Sequence, residues 1–470
     1  MKWIVNAVVV CLLAGGGVAG AQPAPNAATL EARIAMLQQQ LDALRAQVEA
    51  LRQTADASPA TPTAPAGAPT APAAGQVASA IQRRDVLTQN PAAAARIDNV
   101  PMDPERKGFI ELPGTSTRIK FGGNAKLDVI HDFRPAGESD SFVTSTIPIG
   151  DVPAADDTSL SARQSRLSTD LRQPTRIGEL RVFYENDFYD LTTGETQFNL
   201  RHFYGQVANV LGGFTYSTLM DADSMPDTLD YGGPGSMIFM LQPVLRYTVG
   251  LDTKKQHTLA FAIEKGQSDI VVAVAGDPVV ITPTSPAPDF HTRYRFDGET
   301  GHMQLGAVML SVDGYASTGE AFHVFGGGMS LSGSKRVFGG DYLLFQGSYG
   351  KGMGRYMQDV TGLAPDVGLD QGGRVVANAS AGYYLAYQHY WNRALRSTAT
   401  YGFAWVDSKD KTFTTTFNQS EYAAVNAIWS LRDTPFNIGI EYLWGRQQLK
   451  SGESGDANRL QFSIQYDIVR

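Results

Sequence analysis

The chain has 470 residues, a formal net charge of −8, and 18% charged residues. This negative balance argues against general nucleic-acid binding. Its mean hydropathy is −0.18, and no apolar run after residue 21 is long enough for a membrane-spanning helix. The 48 glycines, 19 tyrosines and 22 phenylalanines are typical of proteins with many strands, tight turns and aromatic belts.

Residues 1–21 have the features of a secretory signal peptide. Lys2 supplies a short positive region, an apolar stretch follows, and Ala19-Gly20-Ala21 fits a small-x-small cleavage site. The single cysteine, Cys11, lies inside this segment. The mature chain is therefore predicted to contain no disulfide and no thiol chemistry.

Residues 29–53 form a predicted α-helical coiled coil. Apolar side chains recur at alternating spacings of four and three from Leu30 to Leu51, which is the a/d pattern of such a coil. An amphipathic helix packed on its own domain is the alternative, but the unbroken 3.5-residue period favours the coil. The β-branched a positions favour two strands, whereas Arg33 to Gln38 resembles a trimerisation pattern, so the number of strands stays open.

Residues 54–116 are interpreted as an Ala/Pro-rich tether and a lead-in. Proline removes backbone donors and favours extended geometry, so the tract from 54 to 80 is a semi-rigid spacer rather than a domain. Together with the coil, residues 22–116 are predicted to be periplasmic.

Residues 117–470 contain about sixteen segments in which apolar and polar side chains alternate. The last is the clearest, with five apolar residues on one face, namely Leu460, Phe462, Ile464, Tyr466 and Ile468. Such recurrence predicts an all-β transmembrane barrel of antiparallel strands. A soluble β-sandwich would show the same alternation, but the signal peptide, the even strand number and the aromatics at strand ends favour the barrel.

The links between these segments fall into two classes. Short links such as 173–176 and 432–435 are predicted at the periplasmic end. Long links such as 134–159, 351–373 and 407–418 are predicted to be external.

Charged side chains lie on the non-lipid face of the predicted strands. Arg166 shares its face with Asp170 and Arg172, and Arg181 shares its face with Glu185. An arginine facing lipid at the midplane costs about 2–4 kcal/mol, so these residues are predicted to face the lumen or a subunit contact. Arginines opposite carboxylates would favour anions. The alternative is that the pairs only brace the barrel.

The segment 219–235 carries four aspartates, Asp221, Asp223, Asp227 and Asp230, among glycine and proline. It is predicted to fold into the lumen and narrow it, with a solvated external loop as the alternative. No metal or cofactor is predicted. Met225 and Pro226 stand where a calcium loop needs a ligand and a glycine, and the histidines His202, His302 and His389 are interpreted as strand residues.

The stretch 211–247, with Arg201-His202-Phe203-Tyr204-Gly205 and 161–167, resembles the DcaP-like outer-membrane porins. The resemblance covers residue 110 to the end. It implies a homotrimer of sixteen-stranded barrels in the Gram-negative outer membrane that admits small, often anionic solutes such as dicarboxylates. It also adds Arg201 and Arg246 to Arg166 and Arg181 as pore residues, facing Asp221, Asp223 and Asp227. Two departures are Tyr216, where the family usually has tryptophan, and the terminal Arg470, where barrels usually end in an aromatic residue.

The leading hypothesis is a passive porin for organic anions. A phosphate-selective porin is the close alternative, but its lumen should show a ladder of lysines and arginines. A structural tether to peptidoglycan through the N-terminal segment is another. No enzyme motif with the correct order of residues is found, although spacing alone does not exclude the Ser/His pair of an outer-membrane hydrolase.

Overall fold

The computed structural model describes residues 108–468, apart from 151–155, 190–195, 267, 271–280, 317–320, 364, 371–373, 409–415 and 433. The predicted signal peptide and coiled coil, the tether up to residue 107, and Arg470 lie outside the described residues. No helix in the described part is long and apolar enough to cross a membrane.

Antiparallel strands dominate the described chain. They are β1 (Ile110–Glu111), β2 (Arg118–Asp132), β3 (Asp157–Ser161), β4 (Arg166–Thr175), β5 (Gly178–Asp187), β6 (Asn199–Val207), β7 (Val210–Tyr216), β8 (Leu241–Gly250), β9 (His257–Glu264), β10 (Ile281–Thr284), β11 (Asp289–Gly298), β12 (Gly301–Ala316), β13 (Ala321–Val337), β14 (Asp341–Lys351), β15 (Val367–Leu369), β16 (Val375–Ala377), β17 (Ala379–Tyr390), β18 (Leu395–Asp407), β19 (Phe417–Ser430), β20 (Phe436–Leu449) and β21 (Ser454–Asp467). Four single-turn 3-10 helices cover Thr144–Thr146, Ala222–Ser224, Gly354–Tyr356 and Gln358–Val360.

The sheet closes on itself because β2 pairs with β21, from Asn124 opposite Asp467 to Asp132 opposite Arg459. The strands β3 and β4 both pair with β2, so together they form one interrupted strand of the wall. In the same way, β10 and β11 both pair with β12 and count as one strand. Counted in this way, without β1 and the β15–β16 hairpin, the described barrel has sixteen antiparallel strands. The predicted barrel is confirmed for this part of the chain, and closure pairs the first long strand of the wall with the last.

The alternation of side chains continues around the wall. On β21, Phe462 is 39% exposed and Tyr466 is 40% exposed, whereas Gln461 and Ser463, on either side of Phe462, are at most 1% exposed. The predicted division into an apolar outer face and a polar inner face is therefore confirmed on this strand. An outward apolar band is what contact with lipid requires.

Short turns and long links lie at opposite ends of the barrel. Turns such as 175–178, 207–210 and 298–301 join strands at one end, and the links 132–157, 216–241 and 351–379 leave from the other. This arrangement follows the lengths predicted from the sequence.

Two of the long links pack together inside the barrel. We call residues 217–240 the inserted loop and residues 352–370 the companion loop. Their apolar side chains cluster with lumen-facing residues of β12, namely Val308, Leu310 and Val312. The two loops therefore cover the inner face of this strand.

Candidate functional site

The inserted loop is fastened to the lumen wall at its tip. Glu441 of β20 accepts hydrogen bonds from the backbone N–H groups of Leu229, at 3.1 Å, and Asp230, at 2.8 Å. Lys126 of β2 donates to the carbonyl oxygen of Leu229 at 2.6 Å, and Gln461 of β21 donates to the same oxygen at 3.0 Å. These wall residues face inward, so the loop lies in the lumen and the alternative of an external loop is wrong.

Two glycines of the wall make room for this loop. A Cβ atom on Gly439 would lie 2.8 Å from Leu229, and one on Gly402 would lie 2.8 Å from Pro234. Both distances are shorter than carbon atoms tolerate. The small residues therefore let the loop approach the wall closely.

The start of the loop is held by an ion-pair cluster. Asp221 contacts Arg295 Nη1 at 3.1 Å and His302 Nε2 at 2.8 Å, and Asp223 contacts Arg295 Nη2 at 2.7 Å. Burial alone would raise the pKa of Asp221, but His302 and Arg295 lower it below its ordinary value.

Three groups of this cluster, Asp221, Asp223 and His302, lie close enough together to hold a metal ion. However, the guanidinium of Arg295 already contacts both carboxylates. The positive charge at this position is therefore supplied by an arginine, and a divalent cation would have to displace it or lie beside it.

Beneath the tip of the inserted loop lies a cavity, which we call the basic cavity. Its walls come from several strands, including β2, β4, β6 and β18–β21, and its roof is formed by residues 225–231. The charged residues of the lining are four cations, Lys126, Arg166, Arg201 and Arg396, and two anions, Asp227 and Asp230.

Arg201 is the most constrained cation of the basic cavity. Its side chain is 2% exposed. It pairs with Glu185 at 3.1 Å and with Asp187 at 3.2 Å, and it donates to the hydroxyl oxygens of Tyr216 and Tyr231, each at 2.8 Å. A register shift between β5 and β6 at Glu185/Asn186 explains why the alternation around Arg201 is irregular in the sequence.

The hydroxyl of Tyr216, at the position where the family resemblance predicts tryptophan, accepts a hydrogen bond from Arg201. Indole has no acceptor for that bond. Tyr231 stacks on Tyr189, with ring centroids 4.1 Å apart. Burial raises the pKa of Tyr231 above its ordinary value, so its hydroxyl stays protonated and donates to Asp187 at 2.7 Å.

Arg166 lies beside this network with looser contacts. Its Nη1 is 3.9 Å from Glu185 and its Nε is 4.0 Å from Asp187, and the side chain is 12% exposed. Both distances exceed hydrogen-bond range. The structure brings Arg166 and Arg201 together in the lining of the basic cavity.

The other two predicted arginines have different surroundings. Arg181 pairs with Asp170 at 2.9 Å. Arg246 donates to the side chain of Thr218 at 2.8 Å and to the carbonyl oxygen of Tyr216 at 2.7 Å, which supports the start of the inserted loop. Neither residue is part of the basic cavity's lining.

The partners of the loop aspartates were missed by the sequence reasoning. Asp221 and Asp223 pair with Arg295, and Asp227 pairs with Arg396. The sequence does indicate that Arg396 faces the lumen, because it lies on the same polar face of its strand as Thr398 and Thr400. What the sequence does not indicate is that this strand meets the inserted loop.

A Ser/His/Asp group on β12 and β13 bears on the hydrolase alternative. The Nδ1 atom of His323 contacts both Ser311, at 3.1 Å, and Asp313. A nucleophilic triad needs the serine and the carboxylate on opposite ring nitrogens. The His323 group does not have that geometry. At His302 the serine and the carboxylate do lie on opposite nitrogens, but Ser334 is at Nδ1 and Asp221 at Nε2, each at 2.8 Å, which is the reverse of the triad arrangement.

A closed sixteen-stranded barrel with a charged lumen and an inserted loop defines a porin-type channel of the outer membrane. The sequence profile of the family described as DcaP outer membrane protein matches residues 84–468. The chain belongs to this family.

Solved structures show the same fold. The outer membrane channel DcaP of Acinetobacter baumannii matches with a TM-score of 0.65 at 19% identity, covering 76% of this chain and 99% of that one. An anion-selective porin from Comamonas acidovorans matches with a TM-score of 0.51 at 11% identity, covering 75% of this chain and 100% of that one. No curated protein matches the sequence.

Proposed function

We propose that this porin passes small hydrophilic solutes by diffusion and prefers organic anions, dicarboxylates among them. The observation that carries the proposal is the charge of the basic cavity, whose lining holds four cationic and two anionic side chains. The carboxylates that pair with Lys126 and Arg201, namely Asp128, Glu185 and Asp187, lie behind this lining. The cations that border the narrow, weakly screened passage therefore raise the local concentration of anions.

Arg166 is the residue that best fits direct contact with a solute. Arg166 lines the cavity. The carboxylates of Glu185 and Asp187 lie 3.9 and 4.0 Å from its guanidinium, so in the described chain these two groups do not accept hydrogen bonds from it. Guanidinium presents a planar fork of donors that matches a carboxylate.

Phosphate is a weaker candidate for the preferred anion. Lumen-facing arginines of β4 and β5 alternate with acids, since Asp170 contacts both Arg172, at 2.6 Å, and Arg181, at 2.9 Å. The ladder of lysines and arginines that a phosphate-selective lumen should show is therefore interrupted here by a carboxylate. Mixed charge therefore favours an organic anion.

The assembly we propose is a homotrimer held mainly by contacts between barrels. The outward wall exposes large apolar side chains such as Phe325, at 71%, and Phe203, at 56%, which need lipid or a neighbouring subunit as cover. The coil at 29–53 adds a parallel three-stranded element in the periplasm, where residues 22–116 also suit contact with peptidoglycan.

The test is the reversal potential of an arginine double variant in a planar bilayer under a KCl gradient. Replacing Arg166 and Arg181 together by Gln should lower the anion preference and slow carboxylate uptake while the barrel stays folded. Removing one unit charge near the path is worth about 1 kcal/mol in a water-filled pore, or roughly fivefold in the permeability ratio.

The two single variants sharpen this test. Arg166→Gln removes a charge from the lining of the basic cavity, whereas Arg181→Gln removes one that is paired with Asp170 outside it. We expect the first to carry most of the loss. An unchanged reversal potential in the double variant would show that both arginines only brace the wall.

A further inference from the structure

Asp227 and Arg396 both line the basic cavity and pair with each other. Its Oδ2 accepts a hydrogen bond from Arg396 Nε, and Gln388 Nε2 lies 3.4 Å from the same oxygen. The second lining carboxylate, Asp230, is held differently, by the backbone N–H groups of Phe142, at 2.8 Å, and Gly233, at 2.9 Å. Asp230 therefore serves the folding of the loops, whereas Asp227 neutralises a cation of the passage.

We propose that Asp227 is a tethered competitor of the anionic solute, occupying on Arg396 the position that a solute carboxylate would take. This inference rests on the proposed anion preference and deepens it, because it names the residue that sets how tightly an anion is held. An aspartate side chain and a solute carboxylate offer the same two oxygens to the guanidinium.

The backbone around Asp227 is fixed while its side chain has room to turn. Asn426 donates to the carbonyl oxygen of Asp227 at 2.7 Å, and Glu441 fastens the two residues Leu229 and Asp230. The carboxylate itself is 16% exposed and borders the cavity. When a solute pairs with Arg396, the displaced carboxylate can rotate into the cavity without moving the loop.

Competition of this kind suits a channel. A solute must bind well enough to enter and weakly enough to leave. If Arg396 is engaged by Asp227 for most of the time, the apparent affinity for the solute falls in proportion to the fraction of time that Arg396 is open. Asp227 would thus prevent anions from remaining bound and blocking the pore.

The experiment measures the block of single-channel KCl current by succinate, the dicarboxylate used as probe. Asp227→Asn should lower the half-blocking concentration of succinate, lengthen the blocking events, and raise the anion-to-cation permeability ratio about fivefold. Asp297→Asn is the matched control, since it removes the same charge from an aspartate that also pairs with an arginine, Arg295, outside the cavity lining. If Asp227→Asn does not insert, Asp227→Ser serves with the same expectation.

A double-mutant cycle with Arg396→Gln separates competition from a general field effect. Competition predicts that Asp227→Asn no longer changes the succinate block once Arg396 is replaced. An effect of equal size in both backgrounds, or an equal effect of Asp297→Asn, would overturn the proposal. The proposed function is tested separately: a wild-type channel that prefers cations would refute it, whatever the result of the double-mutant cycle.

Discussion

Replacing Glu441 by Ala should release the tip of the inserted loop and widen the pore. Glu441 is 0% exposed and faces the lumen. It accepts from three donors, which are the N–H groups of Leu229 and Asp230 and the amide of Asn426, at 3.1, 2.8 and 2.8 Å. Alanine leaves all three without this acceptor.

The magnitude follows from these contacts. Leaving a buried donor without its acceptor costs about 1–3 kcal/mol. Water in the pore will reach a released donor, so about 1 kcal/mol for each of the three donors is a fair lower figure. The sum of about 3 kcal/mol raises the population of the detached loop roughly 150-fold.

Two measurements report this change. Single-channel recording should show a larger conductance with more open-channel noise, and hydrogen exchange should show faster exchange at the backbone amides of residues 225–231. Glu421→Ala is the control, because Glu421 lies on the neighbouring strand β19 and contacts Tyr401 away from the loop, at 2.9 Å. Wild-type conductance together with wild-type exchange in Glu441→Ala would refute the view that this residue fastens the loop.

Three further predictions concern stability and assembly. Burial, reinforced by the like charge of Asp230, raises the pKa of Asp359 in the companion loop to about 6. The protonated carboxyl therefore stabilises the folded barrel fully below about pH 4, and this stabilisation, up to about 3 kcal/mol, is lost as the pH rises through 6. Asp359→Asn should remove this pH dependence from thermal unfolding curves. Arg295→Gln leaves the buried carboxylate of Asp221 without its guanidinium partner and should destabilise the barrel by about 3–5 kcal/mol. On gel electrophoresis of samples heated to increasing temperatures, the folded band should disappear at a lower temperature than in the wild type. Deleting residues 22–100 should leave trimers and conduction intact, and a product of monomers alone would make the coil the main oligomerisation element.

Local pattern was sufficient to predict the wall of the barrel. The alternation in 460–468 specifies which side chains face outward, because successive residues of a strand point to opposite sides. The same rule placed Arg166 and Arg181 on lumen faces. The alternation rule does not hold for residues 162–165, because the chain leaves the strand geometry between β3 and β4. Arg163, in this break, is buried against Asp140.

The contents of the lumen could not be predicted in this way. Arg396 and Asp227 are 169 positions apart, and Glu441 and Leu229 are 212 apart. Such pairs depend on where the inserted loop crosses the barrel, which no local spacing encodes. The aspartates and glycines of 219–235 indicated that a loop folds inward, but its partners became known only from the closed structure.

The reversal potential of the wild-type channel tests the central claim most directly. With KCl at unequal concentrations across a planar bilayer, the account predicts a potential whose sign shows chloride to be more permeant than potassium. Raising the ionic strength should weaken this preference, because salt screens the fixed charges of the basic cavity. A potential of the opposite sign, showing potassium to be the more permeant ion at low salt, would contradict the account.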